Sequence, residues 1–75
     1  MIKSFVLMQV PLLLENKVLI KLSKINEVTD IQTLFGEYNI MAKIKTKNHE
    51  KLGKIIINKI KTIDGIEDMK KLKGI

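Results

Sequence analysis

Apolar residues between Ile2 and Val10 occupy positions of both parities, with Ile2, Val6, Met8 and Val10 on one and Phe5 and Leu7 on the other. A strand with that pattern is covered on both faces. Pro11 ends it and suits the first turn of a helix, where a missing N–H costs little. Leu14, Val18, Leu22 and Ile25 then recur at helical spacing, with Lys21 and Lys24 in the last turn, where cations complement the helix dipole. After an Asn26-Glu27 turn, a second strand is expected from Val28 to Phe35. Gly36 takes a positive φ without steric cost and closes a hairpin. From Tyr38 to Lys47 the chain alternates, with Ile40, Ala42 and Ile44 on one face and Asn39, Met41, Lys43 and Lys45 on the other. Asn48 is a good N-cap, and Glu50 lies in the first turn that follows. The second helix carries Leu52, Ile56, Ile60 and Ile63 as its stripe. Asp64-Gly65 stops it, and Ile66 to Leu72 forms the last strand.

The second half of this pattern repeats the first. At a constant offset of 38, Leu52, Ile56, Ile60 and Ile63 match Leu14, Val18, Leu22 and Ile25. The same register pairs Asp64 with Asn26, Ile66 with Val28, Asp68 with Asp30, Leu72 with Leu34 and Gly74 with Gly36. On the strand side it pairs Ile40 with Ile2, Ala42 with Ser4 and Ile44 with Val6. The chain is therefore read as two β-α-β halves. With right-handed crossovers they make an α+β, ferredoxin-like β-α-β-β-α-β sandwich. Its four antiparallel strands form one layer, with the first and third central and both helices on one face. Lys70, Lys71 and Lys73 fall on an edge strand, where lysine discourages stray pairing.

Two surfaces are left uncovered. The open side of the sheet carries Phe5, Leu7 and Met41 on adjacent central strands, a patch that calls for a second sheet. The first helix also has Leu12, Leu13, Leu19 and Ile20 outside its stripe, so it is apolar nearly all round. A helix of that kind is buried nearly all round, which points to a further subunit contact. The second helix presents Lys54, Asn58 and Lys61 there instead.

Size and composition favour assembly too. Seventy-five residues make one domain, here read as residues 1–75 without division. Such a domain buries only about 60–65% of its unfolded surface, and no cysteine is present to reinforce it. Aromatic residues are 4% of the chain, so Ile, Leu, Val and Met must build the core. All 14 basic residues are lysine, and the net charge is +6. Arginine is the better residue for bidentate phosphate and guanine contacts, so the charge reads first as surface solvation. No segment reaches the ~18–20 apolar residues of a membrane span, and the first ten residues lack a cleavage site. A cytoplasmic protein without membrane contact is expected.

Catalytic chemistry finds little footing. His49 reads as an exposed first-turn residue, and neither Ser4 nor Ser23 has a base placed near it by motif. No Gly-rich phosphate loop appears. Met1, Met8, Met41 and Met69 read as core or interface filler rather than a soft-metal site, and Asp30 and Asp68 as solvated. No enzyme activity, metal or cofactor is expected.

The Gly36-Glu37-Tyr38-Asn39 turn looks like the Gly-x-Tyr/Phe-Asp signature of the Lrp/AsnC family of transcription regulators. The Ile40-Met41-Ala42-Lys43-Ile44 strand and the Ile63-Asp64-Gly65-Ile66-Glu67 stretch are similar to neighbouring parts of that family's regulatory domain. The resemblance covers the whole chain but includes no helix-turn-helix, so a stand-alone regulatory domain without sequence-specific DNA binding is expected. It implies sheet-to-sheet dimers assembling into octamers or decamers, with a small effector, often an amino acid, bound between dimers. By position, Gly36, Glu37, Tyr38 and Asn39 would line that pocket. Gly36 would offer backbone, Glu37 or Asn39 would meet an ammonium, and Tyr38 would pack on the ligand. Asn39 stands where the family has an acid, which removes a charge. Met69 and Lys71 stand where threonines are common, and Lys71 could pair with a ligand carboxylate. Full-length regulators of the family are the implied partners.

A degradative or oxygenase member of a related dimeric sandwich would need a catalytic His or acid inside the sheet cavity, which the sequence does not offer. Two other readings compete with effector sensing. One is a ligand-free interaction module that co-assembles with such regulators. The other is a single-strand nucleic-acid binder on the open sheet, for which Phe5 is the one well-placed aromatic.

Overall fold

A computed structural model describes residues 1–72. Lys73 and Gly74, which entered the edge cluster and the repeat, lie outside the described residues. Strand β1 (Ile2–Gln9) leads through a single 3-10 turn (Leu12–Leu14) into helix α1 (Glu15–Ser23) and strand β2 (Val28–Thr33). Strand β3 (Ile40–Thr46), helix α2 (His49–Ile55, continued as a π-helical turn over Ile56–Ile60) and strand β4 (Asp68–Leu72) repeat the order. All three strand pairs are antiparallel, and the sheet order is β2-β3-β1-β4. The central pair and the edges are those expected, in a ferredoxin-like sandwich.

The covered face of the sheet follows from alternation. Val6 and Met8 of β1 and Ile40, Ala42 and Ile44 of β3 are fully buried, facing Val18 and Leu22 of α1, Leu52, Ile56 and Ile60 of α2, and Ile63 in the turn after it, where the helix has already ended. The stripe of the second helix is buried throughout, as its spacing requires. Asn48 caps that helix, its side-chain oxygen accepting from the Lys51 N–H at 2.9 Å. In the sheet Leu7 lies opposite Met41, and Phe5 opposite Lys43. These open-side residues are half-buried within one chain, so β1 is fully covered on one face only.

Five local expectations need correction. The helix expected from Pro11 begins in α form only at Glu15. The Leu14 N–H donates to the Pro11 carbonyl at 2.9 Å, which tightens the entry into a 3-10 turn. Leu19 packs against the core rather than outside it. The hairpin is not tight: residues 34–39 form a loop, closed by the Leu34 N–H donating to the Asn39 carbonyl at 2.9 Å. Phe35, expected at the end of a strand, projects wholly into solvent from it. The last strand begins at Asp68 rather than Ile66, although the Glu67 N–H already donates to the Gln9 carbonyl at 2.8 Å.

Gly65 sits where α2 hands over to β4, with φ at +108°. A Cβ there would lie 3.2 Å from Leu14 Cδ1 and 3.4 Å from Val18 Cγ2. Backbone and packing both demand glycine at this point. Gly53, inside α2, has open space around it. Gly65→Ala should therefore destabilise the fold by about 1–3 kcal/mol, while Gly53→Ala should stabilise it by about 0.5–1 kcal/mol. Urea unfolding of the two variants beside the parent checks the pair, and equal effects would contradict the packing described.

Candidate functional site

The loop of residues 34–39 is held at both ends and free in the middle. Its anchor is Asn39, only 7% exposed. The Asn39 amide nitrogen donates to the Val10 carbonyl at 2.8 Å, and its oxygen accepts from the Val10 N–H at 2.9 Å. One side chain thus pairs both backbone groups of the residue where β1 has ended. The same nitrogen donates to Glu15 Oε2 at 3.0 Å, tying the loop to the start of α1. Gly36, at φ +131°, lets the chain reverse. Between the anchors, the N–H groups of Phe35, Gly36, Glu37 and Tyr38 enter no hydrogen bond among the described residues.

Tyr38 makes a separate brace. Its hydroxyl donates to Asp68 Oδ2 at 2.7 Å, reaching past the end of β1 to β4. The hydrogen bond to Asp68 raises the phenol pKa. It lowers the Asp68 pKa, and a bond from the Met69 N–H lowers it further. Asp68, expected to be solvated only, therefore has a partner.

Against the loop lies a groove of about 380 Å³. Val10, Leu12, Leu34 and Phe35 give it apolar walls, and Gln9, Gly36, Glu37, Asn39 and Glu67 give it polar ones. Both charged groups are carboxylates, although the chain as a whole carries +6. Such a groove offers carboxylates for an ammonium, free backbone N–H groups for an anion and apolar walls for a short side chain.

Of the residues expected at a site, Gly36, Glu37 and Asn39 come together here. Asn39 does so as a structural clamp, its amide bonded to Val10 and Glu15. Tyr38 is turned to Asp68. Met69 pairs with Met8 and packs against the core, and Lys71 sits opposite Val6, so within one chain neither lines the groove. The parity of β4 decides this, because Met69 and Lys71 alternate with Asp68 and Lys70. Sequence reading missed Glu67 and Gln9, which reach the groove only through the β1–β4 pairing. Among the described residues no three His, Asp or Glu side chains gather as a metal site requires, and no helix is long and apolar enough to cross a membrane.

A sheet built of two β-α-β halves with this loop matches a known regulatory module. Residues 5–71 fit the model of the Lrp/AsnC ligand binding domain, and the chain belongs to that family. It is a regulatory, non-catalytic domain. An uncharacterized HTH-type transcriptional regulator of Pyrococcus furiosus is 33% identical over 54 residues, 72% of this chain and 36% of the relative. The chain thus spans about a third of that relative. The crystal structure of FFRP-DM1 superposes with a TM-score of 0.93 at 28% identity, covering 100% of both chains. The Neisseria meningitidis transcriptional regulator NMB0573, solved as an L-Met complex, has a TM-score of 0.85 at 12% identity over 95% of this chain and 47% of its own. At that identity the likeness is one of fold.

Tyr38 is the only tyrosine, so its titration can be read directly from phenolate absorbance. It should titrate above the ordinary tyrosine value of about 10, and Asp68→Ala should bring it down. The hydrogen bond contributes between the lowered Asp68 pKa and the raised Tyr38 pKa. It is lost as pH falls through the first or rises through the second. An unchanged titration in Asp68→Ala would show that the brace does not form.

Proposed function

We propose that this domain is an oligomeric effector sensor. It binds a small molecule with an ammonium group, an amino acid in the first instance, beside the 34–39 loop and modulates transcription regulators. The observation that carries the reading is the acidic groove in an otherwise basic chain. Glu37 and Glu67 would meet the ammonium, the free N–H groups from Phe35 to Tyr38 the ligand's carboxylate, and Leu12, Leu34 and Phe35 its side chain. The family's description as a ligand binding domain supports it, as does an L-Met complex in a protein of the same fold.

Assembly belongs to the same reading. Phe5, Leu7 and Met41 would join two sheets face to face. Leu12, Leu13 and Ile20, which are 81%, 97% and 57% exposed, would meet a further copy. Leu12 and Phe35 line the groove and are bare in one chain, so a neighbouring subunit would close it. Octamers or decamers are the expected size. Full-length regulators of the family would be the partners with which it co-assembles. The exposure of Leu12, Leu13 and Phe35 also favours a second reading, in which a co-assembled regulator covers them and no ligand binds.

Native mass and melting temperature, measured with each of a panel of amino acids, separate the two. Sensing predicts a multiple of the dimer and one amino acid that stabilises it, by about 2.7 kcal/mol at a hundredfold excess over Kd. Glu37→Gln with Glu67→Gln should abolish that response and leave the mass unchanged. A large assembly indifferent to every amino acid favours the ligand-free module. A monomer indifferent to all of them would sink both.

A further inference from the structure

A second recess opens at the other end of the sheet from the 34–39 loop. It has a volume of about 340 Å³, within the range of about 300–1,000 Å³ usual for small-molecule pockets. Thr46 and Lys47 line it at the end of β3, beside the Lys45 backbone, and Lys51 and Lys54 line it from α2, with Ile55 among its mainly apolar walls. The backbone around it is well fixed. The Lys45 N–H donates to the Glu27 carbonyl at 2.9 Å, Thr46 Oγ1 to the Asn48 carbonyl at 3.1 Å, and the Lys51 N–H to Asn48 Oδ1 at 2.9 Å.

Four lysines and one carboxylate residue line this recess, and that carboxylate is already engaged. Glu27 Oε1 accepts from Lys59 Nζ at 3.2 Å. Its own backbone N–H and then Lys59 hold the Glu27 carboxyl below its ordinary pKa, so it stays charged and paired. Lys54 has only an exposed partner one helical turn away, Glu50 at 3.6 Å, which holds it weakly. Lys45, Lys47 and Lys51 form no ion pair among the described residues. Like charges gathered beside apolar walls repel one another until an anion joins them. Lysine suits such an anion as a point charge, without the fixed fork of arginine.

We infer that this recess binds a small organic phosphate, its anionic group held by Lys47, Lys51 and Lys54 and its apolar body against Ile55. A concave, aliphatic site of this size fits a small molecule better than a nucleic-acid strand, for which it offers no aromatic side chain to stack a base. The site is remote from Glu37 and Glu67 and independent of the proposed effector groove.

Adenosine monophosphate is a suitable probe, titrated at constant ionic strength into the protein while its amide resonances are followed. Saturable shifts confined to the region of residues 45–55 are expected. Adenosine and inorganic phosphate should each bind at least about tenfold more weakly. Lys47→Glu with Lys51→Glu should lose the binding while keeping a folded amide spectrum. Lys17→Glu with Lys61→Glu carries the same charge change outside the recess and should retain it. Overturning results would be unsaturated shifts spread over the lysine surface, equal losses in both double variants, or no saturable binding of the nucleotide. Tighter binding of single-stranded RNA across the same wide surface would also overturn it. Glu37→Gln with Glu67→Gln should leave the titration unchanged, so the two sites can fail separately.

Discussion

One-sided burial is the constraint on which this molecule is built. Two helices cover one face of a four-stranded sheet, and among the described residues no second layer covers the other. Every fully buried strand residue faces α1 and α2, and the open side keeps Phe5, Leu7 and Met41 half-buried. Each central strand is thus apolar on two faces and satisfied on one. A domain of this size that has no cross-link gains stability most directly by adding copies of itself. The proposed dimer therefore follows from the fold's own shortage of core.

Asn39 links that architecture to the candidate site. A loop of residues 34–39 on its own would wander, because its central N–H groups have no partner among the described residues. The Asn39 amide fastens the loop to Val10, and through Glu15 to the start of α1. Removing the amide would leave both Val10 backbone groups without it in a buried place, a cost of about 1–3 kcal/mol for each orphaned group. The loop, the 3-10 turn and the first helix thus share one polar hinge. Leu12 and Leu13 stand on the same turn, so an event in the groove and a contact on the helix are mechanically adjacent.

Much of this fold was legible because its signals are periodic and repeated. The stripe Leu52, Ile56, Ile60 and Ile63 and the alternation Ile40, Ala42, Ile44 each predict a face, and both faces are buried. The internal repeat then orders the strands. What stayed hidden depends on single contacts across long separations. Asn39 reads as a strand residue with a free amide until Val10 and Glu15 are placed beside it. Met69 and Lys71 read as site residues, and only the register of β4 against β1 shows that they lie on the helix side, away from the groove of a single chain. Glu67 gives no local sign of its position, since only its backbone bond to Gln9 brings it to the groove. Tyr38 and Asp68 meet for a similar reason, across the end of a strand that separates them.

Charge on this molecule is sorted along the sheet. The lysine recess lies by the end of β3, and the acidic groove by its beginning. With a screening length of about 8 Å at physiological ionic strength, neither site feels the net charge as a whole. A ligand entering the groove meets Glu37 and Glu67, and one entering the recess meets lysines. A chain of net +6 would otherwise disfavour any cation near its surface. Recognition of an ammonium therefore requires a local reversal of sign, on a loop whose ends are fastened. That makes the Asn39 clamp as important to the proposed chemistry as the carboxylates themselves. They set the sign, and the clamp sets where it is felt.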